Sequence, residues 1–206
     1  MITIAHRCAA ALFPENTLHA FKQCIKKGFT HIDLDINCTR DGHLVGHHNK
    51  CLKKPHRYPI RTLTLSRLLS YNQNITPLAT YLKCLQQHPK ITLMIELKTP
   101  NQAGRLLDLL EEYPLHDQLI IQSFHKQILN TLKKHHLTTA LATVKSETTS
   151  HDILCPHHTL VTPDLLHRHP CIIPWTVNDP ARAKSLIALG VSGLITDDPT
   201  HCFKRL

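Results

Sequence analysis

The chain has 206 residues, of which 42% are hydrophobic and 19% charged. This length and balance predict a single folded domain spanning residues 1–206 and exclude an intrinsically disordered chain. The apolar runs are shorter than the ~18 residues that a membrane-spanning helix needs, so we expect no integral membrane segment.

The chain is basic, because 24 Lys and Arg residues outweigh 15 Asp and Glu residues to give a net charge of +9. Such a surface attracts anions, including phosphorylated metabolites and nucleic acid. The basic residues are scattered in short pairs, and no basic stripe with interleaved aromatic residues is visible, so nucleic acid is not an expected partner.

The eight cysteines include no CxxC spacing, and the N-terminus has neither a basic stretch nor a long apolar one. We therefore expect reduced thiols, Cys202 among them, and a cytoplasmic location.

Short apolar runs alternate with stretches of helical periodicity along the whole chain. Most of these runs are continuously apolar, which is typical of parallel strands that are covered on both faces. The predicted strands are 2–5, 31–36, 91–97, 119–123, 139–143, 159–162, 171–177 and 193–196. Eight strands with helices between them predict a compact (β/α)₈ TIM barrel.

The first predicted helix begins after a cap at Asn16 and stops at Gly28. Residues 43–77, with Pro55 and Pro59, are long for one crossover and predict an excursion over the barrel mouth. Residues 145–168 are interrupted by proline, so shortened helices are expected there. Further helices are predicted near 79–87, 102–112, 126–135 and 180–189.

Two carboxylates, Asp33 and Asp35, lie two positions apart in the second predicted strand, and period two places both on the inward face. Glu96 and Lys98 share a face of the next strand in the same way. Three inward carboxylates predict an oxygen-rich site suited to Mg²⁺, Ca²⁺ or Mn²⁺ rather than zinc. The alternative is a buried salt-bridge cluster with Lys98 and Arg7.

Two histidines are placed to share this site. His6 ends the first predicted strand, and His48 follows the turn after the second. Because a barrel brings the carboxyl ends of its strands to one face, we expect both imidazoles to flank the carboxylates. Such a pair suits acid–base chemistry on a phosphate ester.

The chain resembles the glycerophosphodiester phosphodiesterase family over essentially its whole length. The ordered motifs of that family are matched by His6-Arg7, Pro14-Glu15-Asn16-Thr17, Ala20-Phe21, Gly28, Asp33-x-Asp35, Thr39-x-Asp41-Gly42, His48, Glu96-x-Lys98, Ser123-Phe124, Trp175-Thr-Val-Asn178 and Gly193-x-Ile-Thr-Asp197.

The resemblance implies metal-dependent hydrolysis of a glycerophosphodiester or lysophospholipid to glycerol phosphate and an alcohol. It implies that Asp33, Asp35 and Glu96 hold a divalent cation, Ca²⁺ or Mg²⁺ with Mn²⁺ as a further option. It also implies that His6 and His48 are the acid–base pair.

The same resemblance implies that Arg7 and Lys98 contact the phosphate. Trp175 would form the wall against which the glycerol or headgroup packs, with a plain core tryptophan as the alternative. Glu15 and Asn49 would support the residues that touch substrate.

Three positions depart from the family pattern. Cys8 replaces the usual Gly, Asp33 the usual Glu, and Asn49 the usual Asp after the histidine. An added Cβ at position 8 narrows the site or changes the backbone angle. These departures motivate a second hypothesis, a catalytically impaired barrel that binds metal or a phosphorylated ligand without turnover.

Overall fold

The structure, a computed structural model, describes residues 1–53 and 57–200 and contains a curled, largely parallel sheet. Pro55 and Cys202 lie outside the described residues. The sheet order is β7-β6-β5-β4-β2-β1-β8, and β3 pairs antiparallel with β2 as a hairpin. The strands are β1 (Ile2–Ala5), β2 (His31–Cys38), β3 (Leu44–Gly46), β4 (Thr92–Leu97), β5 (Leu119–Ser123), β6 (Thr138–Thr143), β7 (Ile153–Pro156) and β8 (Gly193–Thr196).

The extended segment 171–177 lies between β7 and β8 and closes the sheet on itself. On one side the Trp175 backbone N–H donates to the Pro156 carbonyl at 3.0 Å, and on the other the Val177 N–H donates to the Ile195 carbonyl at 2.8 Å. This segment was predicted as the seventh strand, and it contributes isolated bridges rather than a continuous ladder.

The strand predicted at 159–162 is wrong. That stretch forms a 3₁₀ turn, His158–Leu160, and then the start of a helix, while the strand itself is β7. Thr162 accepts a hydrogen bond from the Leu165 N–H and Pro163 occupies the first helical turn, so the segment is a helix N-terminus.

The described chain contains seven α-helices. Thr17, not Asn16 as predicted, caps α1, because its Oγ1 accepts from the Ala20 N–H. The shortened region predicted at 145–168 is confirmed, since its one α-helix, α6, has six residues. The helices are α1 (Leu18–Lys26), α2 (Leu65–Tyr71), α3 (Leu78–Leu85), α4 (Asn101–Glu112), α5 (Lys126–Lys133), α6 (Pro163–Arg168) and α7 (Pro180–Leu189).

Alternation along the strands divides the buried side chains into two layers. Inside the barrel lie Ile4, Met94, Ile120 and their neighbours, and outside it the opposite faces of the same strands pack on the helices. The described part of the 43–77 excursion has a small core of its own around Val45, Leu52 and Leu68. None of the described helices is long and apolar enough to cross a membrane.

Candidate active site

Three carboxylates, two buried and one partly buried, form a row across β2 and β4 at one end of the barrel. The parallel register places Asp35 beside Glu96 and Asp33 beside Met94. Asp33 and Asp35 are 3% and 1% exposed, so neither carboxylate is solvated by bulk water. The period-two prediction for these side chains is confirmed, since the intervening Leu34 packs in the outer layer.

Two cations contact this row. Lys98 Nζ donates to Asp35 Oδ1 at 2.8 Å and to Glu96 Oε1 at 2.7 Å. Arg7 Nε lies 3.3 Å from Asp35 Oδ2 but is not aligned for a hydrogen bond, and the Arg7 backbone N–H donates to Asp33 Oδ2 at 2.9 Å. The ion pairing anticipated as the alternative to a metal site is therefore present.

The carboxylates differ in how readily they ionise. Burial and the neighbouring Asp35 charge raise the pKa of Asp33 to about 6 and that of Glu96 to about 7. Burial also opposes ionisation of Asp35, but Lys98, His48 and Asn16 together outweigh burial and hold the pKa of Asp35 below its ordinary value. The row thus carries more potential negative charge than Lys98 and Arg7 neutralise.

Asn16 holds Asp35 in place, a role that the sequence reading missed. Its Nδ2 donates to Asp35 Oδ2 and its Oδ1 accepts from the Asp35 backbone N–H, both at 2.9 Å. The buried Tyr81 hydroxyl donates to the Asn16 carbonyl at 2.9 Å. A Cβ at Gly46 would lie 2.9 Å from that hydroxyl, so this contact requires glycine there.

His6 lies directly after β1, where a carboxylate orients its ring. His6 Nδ1 is 2.6 Å from Asp197 Oδ1, and Asn178 Nδ2 donates to Asp197 Oδ2 at 2.6 Å. Burial lowers the pKa of His6, but the hydrogen bond to Asp197 and the negative charges of Asp33 and Asp197 together outweigh burial and leave it raised. His6 therefore holds a proton more strongly than a free imidazole does.

His48 lies on the loop after β3 and is held by neutral groups. Its Nδ1 is 3.0 Å from the Asn49 side-chain oxygen. Asn37 Nδ2 fixes the loop by donating to the carbonyls of His47 at 2.6 Å and Asn49 at 3.1 Å. Burial lowers the pKa of His48, so this imidazole is mostly neutral at pH 7.

A cavity of about 170 Å³ brings several of the predicted site residues together, since its lining includes both histidines, Arg7, Glu96 and Trp175. The predicted residues Asp33, Asp35 and Lys98 are not part of its lining. The Trp175 indole N–H donates to the Cys155 carbonyl at 2.7 Å, and Phe124 packs edge-on against the indole.

Glu15 is not part of the lining of this cavity, and it contacts two cations. Its Oε2 accepts from Arg7 Nη1 at 3.1 Å and its Oε1 from Lys53 Nζ at 2.7 Å. These contacts orient the Arg7 guanidinium, which is the supporting position expected for Glu15.

Three consecutive residues after β1, Arg7, Cys8 and Ala9, have φ values of 49°, 63° and 61°. Position 8 therefore has the left-handed conformation that a glycine adopts without strain, whereas a residue with a Cβ loses roughly 1–2 kcal/mol there. The Cys8 side chain is fully buried, with Sγ 3.6 Å from the Asp33 carbonyl. Cys8 therefore occupies a left-handed conformation that is strained for a residue with a Cβ.

The carboxylate oxygens of Asp33, Asp35 and Glu96 are chemically suited to a hard cation, but the side chains are not arranged around a common metal position. Among residues 1–53 and 57–200, no three His, Cys, Asp or Glu side chains are grouped closely enough to hold a metal ion. Lys98 Nζ lies between Asp35 and Glu96 instead. The raised pKa values of Asp33 and Glu96 nevertheless mark carboxylates whose ionisation a divalent cation would favour.

Comparison with known proteins identifies the family. A glycerophosphodiester phosphodiesterase from Caldanaerobacter subterraneus is 27% identical over 96% of this chain and 94% of its own length. The Thermotoga maritima glycerophosphodiester phosphodiesterase has a TM-score of 0.82 at 23% identity, covering 96% of this chain and 94% of its own. An Oleispira antarctica phosphodiesterase in complex with the product sn-glycerol-3-phosphate has a TM-score of 0.87 at 19% identity, covering 98% and 95%. The model of the glycerophosphoryl diester phosphodiesterase family matches residues 6–201, and the chain belongs to that family.

Proposed function

We propose that this chain hydrolyses glycerophosphodiesters to glycerol phosphate and an alcohol, using His6 and His48 as the acid–base pair. The observation that carries the proposal is one cavity lined by both imidazoles, Arg7 and Glu96. Nδ1 of each ring is engaged, by Asp197 or by Asn49, so Nε2 is the nitrogen left for substrate.

The two rings are suited to opposite proton-transfer roles, one as the base and the other as the acid. His48, with its lowered pKa, takes the proton of the glycerol hydroxyl next to the diester, and the resulting oxygen attacks phosphorus. His6, with its raised pKa, gives a proton to the departing alcohol oxygen. A cyclic phosphate results, and water opens it to glycerol phosphate with the two roles reversed.

Arg7 and Lys98 are the proposed phosphate-binding cations. Glu15 orients the Arg7 guanidinium, which lies beside Asp35. Lys98 directly follows β4 and donates to Asp35 as well. Trp175 is the proposed wall for the glycerol or headgroup. A second cavity of about 230 Å³, lined by Glu15, His47 and Lys53, shares His48 with the first and provides space for another arm of the diester.

Asp33, Asp35 and Glu96 are the proposed ligands of a divalent cation, Ca²⁺ or Mg²⁺ with Mn²⁺ as a further option. When bound, the cation would orient the phosphate and neutralise its charge. Support comes from the oxygen-rich donor set, from the raised pKa values of Asp33 and Glu96, and from the general metal dependence of the family.

The test is a panel of glycerophosphodiesters and lysophospholipids incubated with Mg²⁺, Mn²⁺, Ca²⁺ or chelator, with released glycerol phosphate as the readout. We expect turnover that a chelator removes. His6→Ala and His48→Ala should each lower kcat on the order of 10²-fold, the usual scale for a proton-transfer group. His43→Ala, an exposed histidine on the neighbouring turn, is the matched control.

Saturable binding of glycerol phosphate with no turnover of any diester would instead support a barrel that binds ligand without catalysis. Loss of activity in the His43 variant but not in the His48 variant would contradict the assignment of the base.

A further inference from the structure

His6 and Asp197 come together because the first and last strands of the barrel are neighbours. The β1–β8 register pairs Ala5 with Thr196, the last residues of the two strands, so His6 and Asp197 directly follow this pair. The Ala11 backbone N–H also donates to the Asp197 carbonyl at 3.1 Å, which ties the His6 loop to the end of β8.

Asn178 holds Asp197 from the other side. Its Nδ2 donates to Asp197 Oδ2 at 2.6 Å, and its Oδ1 accepts from the Asp197 backbone N–H at 2.9 Å. The Thr196 hydroxyl donates to the same Oδ1 at 3.2 Å. With Oδ2 and the backbone both fixed, the second carboxylate oxygen, Oδ1, faces the His6 ring.

We propose that Asp197 and Asn178 are positioning residues for His6, with Asp197 fixing the Nδ1–H tautomer and Asn178 fixing the carboxylate. This inference rests on the proposed function, in which His6 transfers a proton through Nε2. An ionised carboxylate can only accept, so Nδ1 carries the hydrogen and Nε2 is directed into the cavity. His48 has an amide oxygen from the adjacent Asn49 in the corresponding place, so the two rings are supported differently.

Asp197→Asn makes a sharp test, because Asn178 Nδ2 needs an acceptor and will keep the oxygen of the introduced amide on its own side. The amide NH₂ then faces His6 Nδ1 and favours the opposite tautomer, with the hydrogen on Nε2. The matched control is Asp198→Asn, since Asp198 Oδ1 accepts from Thr200 instead.

The first measurement needs no activity. Long-range ¹H–¹⁵N spectra of the full chain at pH 8.5, with the His6 signals identified through His6→Gln, report which ring nitrogen carries hydrogen. We expect Nδ1–H in the parent and in Asp198→Asn, and a shift toward Nε2–H in Asp197→Asn. An Nε2–H parent, or an unchanged tautomer in the Asp197 variant, would overturn the proposal.

The second measurement compares two leaving groups in single turnovers. For a diester with an aliphatic alcohol, Asp197→Asn should lower the maximal single-turnover rate on the order of 10²-fold, since the departing alkoxide needs a proton. The substrate concentration that gives half of that rate should change little. For glycerophospho-p-nitrophenol, whose anion leaves unprotonated, the loss should be less than about tenfold. Asn178→Ala should show the same pattern more weakly.

An equal loss with both leaving groups would mean a merely structural role and would refute the proposal. If the parent hydrolyses no diester, the proposed function fails, while the tautomer measurement still decides whether Asp197 positions His6.

Discussion

Replacing Glu96 with Gln is expected to stabilise the metal-free protein at pH 8 while removing hydrolysis. Burial and the Asp35 charge raise the pKa of Glu96 from 4.5 to about 7, which corresponds to about 3 kcal/mol at ~1.4 kcal/mol per pH unit. Because the folded pKa lies above the unfolded one, the destabilisation is absent below about pH 4 and complete above about pH 7. Gln keeps the shape but weakens the 2.7 Å contact with Lys98, so we expect a net gain of about 1–2 kcal/mol.

The assay is thermal and urea unfolding of parent and variant at pH 5 and pH 8, with chelator present. At pH 8 the gain amounts to roughly 4 °C in Tm for a chain of this size. At pH 5 the folded parent carboxyl is already mostly neutral, so the gain should be much smaller than at pH 8. Glu111→Gln, on the exposed face of α4, is the control and should change neither value. A variant that is destabilised at pH 8, or shifted equally at both pH values, would refute the reasoning.

Three further replacements test the carboxylate row and its support. Asp35→Asn should abolish hydrolysis and lower the free energy of unfolding by about 3 kcal/mol. The Asp35 charge also raises the pKa of Asp33 and Glu96, so urea unfolding should show a larger loss at pH 5, where those two carboxyls are mostly neutral, than at pH 8, where removing the charge relieves its repulsion on them. Tyr81→Phe should cost about 1–3 kcal/mol by leaving the Asn16 carbonyl without its donor, measured by urea unfolding, and an unchanged midpoint would contradict that contact. Asp33→Glu restores the longer arm usual in the family and should alter the ranking of kcat/KM among Mg²⁺, Mn²⁺ and Ca²⁺, whereas identical rankings would place Asp33 away from the cation.

The carboxylate row could be predicted because its information is local. Period two along β2 fixes the common face of Asp33 and Asp35, and flanking apolar residues indicate that the strand is buried. The lateral pairing of Asp35 with Glu96 follows once the two strands are neighbours in a parallel sheet. The contact of Lys98 with the carboxylates was anticipated only as an alternative to a metal site, since either the phosphate or the carboxylates satisfy an ammonium.

The misplaced strand shows where local information fails. Residues 159–162 have the β-branched composition of a strand, whereas β7, a few positions earlier, reads Ile-Leu-Cys-Pro and contains only one β-branched residue. Hydrogen bonds from β6 and from segment 171–177 select β7. Thr162-Pro163-Asp164 was the available signal, because a capping residue followed by proline indicates a helix start.

The contacts that orient the reacting groups join residues far apart in sequence. Asp197 lies 191 positions from His6, and Asn16 was assigned to a helix cap that its neighbour Thr17 provides. The partner of His6 therefore could not be predicted from local sequence. This carboxylate partner is supplied by the residue after the last strand, so the 2.6 Å contact with Asp197 exists only when β8 has paired with β1. The proposed acid–base role of His6 therefore depends on closure of the whole barrel, which makes the β1–β8 junction a part of the proposed active site.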